Sequence, residues 1–401
     1  MKTYKTKTDI PRLADILRQG GLVAVPTETV YGLAGNGLDE SAVERLYTVK
    51  GRPAVKALSL MVPGAEAMER YCRSVPRSAY ILAEAFWPGP LTIILESGEL
   101  VPSLVRAGGT TVGLRCPAQE QTLSLLQTCG VPLAAPSANP SGEPSPKTAE
   151  AVAAYFDGKI DAILDGGACD IGTESTILDL TTVPYRILRP GALSEGEIQR
   201  VLIASLRVVG VTGGTGTGKT TALNALREMG ALVIDADEVY HTLCASCTDM
   251  LSAIEDRFPG TVEAGVLQRK RLGTVVFGDA KALEDLRHIT DPFVEREIDR
   301  RLAVHAAAGG RYAAVDAINL LDTKLMSYVV ASVGITAPEE VRVKRLMARD
   351  NIPEEYARLR IRAQHDETYF EENCDYTIRN DGTAAEYRMK CDALFGKILK
   401  E

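Results

Sequence analysis

The stretch Gly213-Gly214-Thr215-Gly216-Thr217-Gly218-Lys219-Thr220 constrains the fold of this 401-residue chain more than any other. It matches G-x-x-x-x-G-K-[ST], a loop that requires a strand before it and a helix after it. Both flanks are present: the apolar run Val208-Val209-Gly210-Val211 precedes it, and Ala222, Leu223, Leu226 and Met229 follow at helical spacing. The glycines let backbone N–H groups face phosphate oxygens, Lys219 brings a point charge, and Thr220 brings a hydroxyl suited to Mg²⁺. Thr215, Gly216, Thr217, Gly218, Lys219 and Thr220 are therefore the expected phosphate cradle. The plainer alternative is a Gly-rich turn that opens a helix.

About two hundred residues lie ahead of this loop, and the length suits two or three domains at ~150 residues each. The 45% hydrophobic content is enough for two cores. Net charge is −8, with 19 basic and 22 acidic residues in 1–203 and 26 and 31 in the remainder. Neither half has the basic excess of a strong nucleic-acid binder, so any contact with RNA would have to come from a local patch. Only Cys244 and Cys247 form a C-x-x-C, which disfavours zinc and fits a reducing compartment. The N-terminus is unlike a signal peptide, and no apolar run reaches ~18 residues. The expectation is a soluble cytoplasmic protein without a membrane partner.

Between residues 22 and 189, short apolar runs (22–25, 91–95, 112–114, 163–164, 176–180) alternate with Gly/Pro/Ser/Thr turns. Helical periods occupy 10–18 and 41–49, so a mixed α/β domain rich in short strands is expected. A helical stretch over 193–206 replaces a flexible linker. Beyond it, strands expected at 208–212, 232–235, 313–317, 328–335 and 376–378 alternate with charged helices, as in a parallel doubly wound sheet. The domains are drawn at 1–203 and 204–401.

In the second half, Val233-Ile234-Asp235-Ala236-Asp237 ends a strand. Alternation along a strand would aim Asp235 and Asp237 together at the phosphates, to take a proton or hold Mg²⁺; solvated turn aspartates are the alternative. Arg345 with Arg349 and Arg358 with Arg362 each lie four apart, which suits either a lid over a γ-phosphate or a solvated, acid-paired face. Together with Leu267-Gln268-Arg269, Arg345 to Asp350, Arg362-Ala363-Gln364 and Asn380-Asp381-Gly382, these segments resemble dephospho-coenzyme A kinase over about 207–400. The resemblance implies a P-loop kinase domain with a helical lid that phosphorylates the ribose 3′-hydroxyl of dephospho-coenzyme A with ATP and Mg²⁺. It makes Asp237 the base, Lys219 a catalytic cation, Thr220 the Mg²⁺ hydroxyl, and Arg349 and Arg362 lid residues. The sequence departs from the family on the acceptor side. His241 stands for an Arg, Asp291 for a His, and the stretch from Asp316 reads Ala317-Ile318-Asn319-Leu320-Leu321-Asp322. Another acceptor, or a silent nucleotide-binding regulator, stays open for this half.

The first half has no histidine, which removes His-based acid–base catalysis there. Lys50-Gly51-Arg52-Pro53, with Lys56 close behind, is a cationic, Pro-stiffened turn suited to a polyphosphate or carboxylate, or a basic surface loop. Pro136-Ser137-Ala138-Asn139-Pro140 and Thr173-Glu174-Ser175-Thr176 put small polar residues at strand ends. With Pro26 to Leu33, Trp87-Pro88-Gly89-Pro90, Val112-Gly113-Leu114-Arg115 and Arg189-Pro190-Gly191, this ordered set resembles the threonylcarbamoyl-AMP synthase family in its short form, over about 8–200. The resemblance implies a YrdC-like twisted mixed-sheet α/β domain that converts L-threonine, bicarbonate and ATP to threonylcarbamoyl-adenylate and pyrophosphate. That product would pass to the tRNA-modification transferase machinery acting on adenosine 37. By matching positions, catalytic Lys50 and Arg52, with Thr111, Ser137, Ser145 and Arg189, would grip ATP. Thr27, Arg115 and Ser175 would hold threonine, and Lys56 and Asn139 would complete the pocket. A reading from a different class makes this half an RNA-binding module.

Overall fold

The computed structural model describes residues 3–400. Two compact units emerge, one reaching Leu202 and including Ala307–Gly309, the other formed by Ile203–Ala306 and Gly310 onward.

The first unit is built on ten strands: β1 (Tyr4–Thr6), β2 (Val23–Val25), β3 (Gly32–Asn36), β4 (Ser59–Met61), β5 (Leu91–Glu96), β6 (Thr111–Arg115), β7 (Leu133–Ala134), β8 (Ala162–Leu164), β9 (Thr176–Asp179) and β10 (Arg186–Arg189). They form one sheet in the order β1-β8-β2-β3-β7-β4-β6-β5-β9-β10. Pairing is mixed, parallel for β4 with β6 and for β5 with β9, and antiparallel for β5 with β6 and for β2 with β3. On one face, the helix Ile10–Arg18 presents Leu13, Ala14 and Leu17 to Leu125, Leu126 and Cys129 of the helix Glu120–Cys129. Asp9 caps the former by accepting from the Arg12 N–H. The helix Glu40–Lys50 starts on Asp39, which accepts from Ser41 and Ala42, and stops at Gly51. Gly51 has φ 58°, the left-handed stop that glycine makes readily, so Lys50 and Arg52 fall on either side of a sharp change of direction.

The second unit has β11 (Arg207–Thr212), β12 (Leu232–Asp235), the small hairpin β13 (Val262–Glu263) and β14 (Val266–Leu267), β15 (Tyr312–Asp316), β16 (Val329–Thr336) and β17 (Tyr376–Arg379). Five strands run parallel in the order β12-β15-β11-β16-β17. The central strand β11 is buried on both faces, which explains its unbroken apolar run. A Cβ at its Gly210 would run into Leu320 and Val329. Its neighbours β15 and β16 leave in opposite directions along the sheet, so β11 ends at the switch point where ligands bind in such folds. The helix Lys219–Glu228 starts there and buries Ala222, Leu223 and Leu226 against Tyr387, Cys391 and Phe395 of the helix Ala384–Ile398.

Every strand expected from the sequence forms within one or two residues. Asp237 breaks the expected alternation, because the strand ends at Asp235 and Asp237 lies in the first turn of the helix Ala236–Ser246. Asp235 caps that helix, accepting from the N–H groups of Asp237 and Glu238. A carboxylate at a helix start is captured by free N–H groups, and this outweighs continuing the strand. Truncation of fully buried Phe395 to Ala should cost about 3–5 kcal/mol, seen as a lowered midpoint in denaturant unfolding of the full chain followed through this unit.

Candidate functional site

In the second unit, the loop after β11 is held from behind. The Gly213 carbonyl accepts from Lys219 Nζ (2.9 Å), that of Gly214 from Thr217 Oγ1 (2.9 Å), and that of Thr215 from Arg342 Nε (3.0 Å). Arg345 Nη1 donates to the carbonyls of Gly216 and Thr217, Asn380 Nδ2 to that of Thr217 (2.8 Å), and the Tyr387 hydroxyl to that of Gly218 (3.1 Å). All six carbonyls from 213 to 218 are thus occupied by side-chain donors, which leaves the inner side of the loop to N–H groups, as an anion nest requires. Gln364 adds a further tie, accepting from the Thr215 N–H (2.8 Å) and donating to its Oγ1 (2.8 Å). Gly213 (φ 144°) and Gly218 (φ 102°) have no room for a Cβ, which would strike the Ile335 carbonyl and the Asn380 amide.

Arg345 therefore lies beneath the loop and not in a lid above it. Arg349 pairs with Asp350 on the surface, and Arg358 pairs with Glu339, Glu340 and Glu354; both fit the solvated-face alternative. Arg362 lines the cavity in front of the loop. That cavity holds about 940 Å³ and is bordered by Gly214, Asp237, Asp291, Ile318, Asp322 and Gln364, among others. Asp237 opens onto its floor; burial in the cleft and the nearby Asp235 raise its carboxyl above the usual range, and Lys219 and His241 oppose this. His241 is not part of the lining, whereas Arg287 and His288 are, on the same helix as Asp291.

Asp316, which the sequence analysis treated only as the start of a departure, sits at the end of β15 with one carboxylate oxygen 4.0 Å from Lys219 Nζ. That oxygen is buried without a hydrogen-bond partner. Burial, set against Lys219, pushes its pKa up to about 6. The remaining loop ligands, Thr217 and Thr220, lie buried and exposed respectively, with Thr220 in the first turn of the following helix.

The first unit has its own cavity, of about 290 Å³, where the ends of β3, β5, β6, β7, β9 and β10 converge. Three guanidiniums line it: Arg52, Arg115 and Arg189. Arg52 is fixed by the carbonyls of Lys56 (3.0 Å) and Ala57 (2.7 Å). Arg115 is buried and donates through Nη2 to Glu28 (2.7 Å) and Thr29 (2.8 Å) and through Nε to the Gly89 carbonyl (3.3 Å). Arg189 donates to the Ser175 carbonyl (2.7 Å) and pairs with Glu174 (2.6 Å). Ser137, Ser175, Ser59 and Thr92 supply hydroxyls, and Ser175 and Thr92 bond each other (2.9 Å).

Other sequence-derived residues lie back from this lining. Lys50 is buried and donates to the carbonyls of Ser137 (2.6 Å) and Asn139 (2.5 Å), so it fastens the serine-bearing loop. Burial, with Arg52 adding to it, lowers its pKa to about 8. Thr27 closes its own turn by donating to the Val30 carbonyl (2.7 Å). Asn139 is buried, and its Oδ1 has no partner. Ser145 donates to Glu174 (2.9 Å), Thr111 stands at the far end of β6 from Arg115, and Lys56 is exposed. Glu28, Glu174 and Thr92 were not singled out from the sequence. The signal for the two acids was available, since a cluster of arginines in a pocket needs counter-ions.

Fold and sites together define a two-unit α/β chain of nucleotide-handling transferase domains. Residues 15–191 match the family model described as telomere recombination, Sua5–YciO–YrdC, and residues 207–386 match the dephospho-CoA kinase model. The threonylcarbamoyl-AMP synthase of Pyrococcus abyssi is 49% identical over 189 residues, 47% of this chain and 56% of its own. A putative threonylcarbamoyl-AMP synthase of Mycobacterium tuberculosis is 37% identical over 187 residues, 46% of this chain and 85% of its own. The solved structure of P. abyssi Sua5 complexed with L-threonine aligns with 32% identity over 80% of this chain and 92% of that one, at a TM-score of 0.48. The chain belongs to the threonylcarbamoyl-AMP synthase family through its first part, and its second part matches the dephospho-CoA kinase model. It spans little more than half the length of several curated synthases that it matches, 56%, 59% and 54%.

The raised carboxyl of Asp316 gives a signed prediction. The folded chain keeps this proton up to about pH 6, whereas the unfolded chain loses it near 3.8, so the group's contribution to stability falls as pH rises through that window. Asp316→Asn should remove the loss, making the nucleotide-free variant more stable than the parent at pH 7 by up to about 3 kcal/mol, and equal near pH 4. Thermal unfolding of both proteins at the two pH values checks this.

Proposed function

We propose that the chain is bifunctional, with residues 1–203 a threonylcarbamoyl-AMP synthase and residues 204–401 a dephospho-coenzyme A kinase, both acting in the cytoplasm. Among the described residues, no helix is long and apolar enough to cross a membrane.

For the first part, the observation that supports the reading most is the convergence of three guanidiniums and four hydroxyls on one cavity. Among the described residues no hydrogen bond involves Arg115 Nη1, which suits the carboxylate of L-threonine, with Ser175 and Thr92 beside it. The threonine amine attacks the bicarbonate carbon, and a C–O bond breaks with loss of water to give a carbamate. A carbamate oxygen then bonds to the α-phosphorus of ATP as the bond to the β-phosphate bridge breaks. Arg52 and Arg189 meet the charge that moves onto the departing pyrophosphate. The adenylate product would serve the transferase machinery that modifies adenosine 37 of tRNA, and a weak tRNA contact would be local, given the acidic balance.

For the second part, Asp237 on the floor of the larger cavity would accept the proton of the acceptor's 3′-hydroxyl as that oxygen bonds to the γ-phosphorus of ATP and the bond to the β,γ-bridging oxygen breaks, releasing ADP. The loop would hold the phosphates, and Arg362 would close over them. The donor set fits Mg²⁺: the Thr220 hydroxyl and the Asp316 carboxylate, one oxygen of which is buried without a hydrogen bond, would hold it, and the ion would neutralise the β- and γ-phosphates. Arg287 and His288 supply basic groups to the same cavity in which Asp291 replaces a His, which favours a diphosphate-bearing acceptor such as dephospho-coenzyme A.

Lys219→Ala should abolish ATP- and dephospho-coenzyme A-dependent ADP formation while leaving threonine-dependent pyrophosphate release within a few-fold. Arg52→Ala should do the reverse, lowering pyrophosphate release by about a hundredfold or more. Parallel assays of both activities on the full chain decide, and a joint loss in either variant contradicts two independent sites. Mass identification of the kinase product tests the acceptor: no phosphate gained by dephospho-coenzyme A, with ATP still bound, rejects it.

A further inference from the structure

We propose that Glu174 is the resident counter-ion of the polyphosphate seat in the first unit, trading places with the nucleotide's phosphates and returning as pyrophosphate leaves. The inference rests on the reading of this cavity as an ATP site.

Glu174 is the only carboxylate lining the cavity among the described residues. Its two oxygens are held by Arg189 (2.6 Å) and by the Ser145 hydroxyl (2.9 Å), two groups whose chemistry suits phosphate oxygens. An anion of the chain itself thus occupies these groups. Burial lowers the pKa of Lys50, Arg52 and Arg189 alike, and Glu174 opposes that lowering at all three, so one carboxylate offsets a whole cluster of cations. Arg115 is different: its partner Glu28 is buried with it, at 9% and 7% side-chain exposure, and also accepts from the Ala118 N–H (2.9 Å). That pair is structural. The Arg189–Glu174 pair is 39% and 35% exposed, the regime in which an ion pair contributes little and exchanges readily.

Arg52 and Arg189 without an exchangeable partner would grip pyrophosphate as firmly as ATP and so retain the product. A carboxylate on the rim weakens both, and its re-entry helps to expel the product. Glu174 thus sets the balance between nucleotide capture and product release, acting through Arg189 and Ser145 and not on the reacting atoms.

The test uses the full chain with Lys219→Ala, which weakens the phosphate loop of the second unit, and every effect is read as a difference between chains that share this background. Binding of inorganic pyrophosphate is measured by calorimetry for this parent and for the same chain carrying either Glu174→Gln or Glu174→Asp. Glu174→Gln should tighten pyrophosphate roughly fivefold, the factor equivalent to an exposed ion pair of ~1 kcal/mol. KM for ATP and kcat for adenylate formation should fall together as release becomes limiting. Glu174→Asp, which keeps the charge, should stay within about twofold of the parent. Unchanged or weaker pyrophosphate binding in Glu174→Gln, with the parent binding pyrophosphate and releasing it on addition of ATP, overturns the proposal alone. If the parent does neither, the reading of the cavity falls and the proposal with it.

Discussion

A peptide group can present its N–H to an anion on one side only if its carbonyl finds a donor on the other. In the second unit this constraint is met residue by residue, because every carbonyl from Gly213 to Gly218 is taken by a side chain of the unit. The donors come from four places: the loop itself, the helix Glu339–Asp350, the end of β17 and the helix Ala384–Ile398. Loop conformation is thereby tied to the packing of the core, since Tyr387 contributes both a hydroxyl to Gly218 and its ring to the cluster under the sheet. Preorganised N–H groups lose no reorganisation energy when a phosphate arrives.

The first unit meets an anion differently, through side-chain charge. Its guanidiniums are crowded enough that burial and mutual repulsion lower the pKa of Arg189, and Glu174 works against both. Crowded cations are tolerable only with partners, and the partners fall into two kinds. Glu28 is locked to Arg115 inside the protein, and Glu174 is left at the rim. Lys50 has a third arrangement, a buried cation satisfied by two carbonyls, which shapes the loop carrying Ser137. Under the proposed function the two units would solve one problem, holding a polyphosphate, with dipoles in one case and charges in the other.

Much of this was legible in the chain. The apolar runs of β11, β12, β15 and β16 announce a parallel sheet because strands covered on both faces need no alternation. The glycines of the phosphate loop and the stop at Gly51 are visible because few residues adopt those backbone angles. Arg52, Arg115 and Arg189 were expected at one site from the sequence, and they do line one cavity. Helix faces were harder to assign. Arg345 and Arg349 share a spacing, yet one supports the loop from below and the other faces solvent beside Asp350. Spacing says which residues share a face but not what that face meets. Asp235 shows the same limit at a strand end, where capping of the next helix overrode alternation.

The sequence by itself determined the element types, the phosphate loop and the families, because these depend on residues close in the chain and on their order. Only the tertiary structure decided which cations face a ligand and which fasten a loop, as with Arg342 under Thr215, Lys50 on Ser137 and Asp316 beside Lys219. Those outcomes depend on burial and on partners 28 to 149 residues distant in similar cases, such as Arg257 with Asp285 and Gln364 with Thr215. Local pattern has no access to a dielectric environment or a hydrogen-bond partner that exists only once the chain has closed on itself.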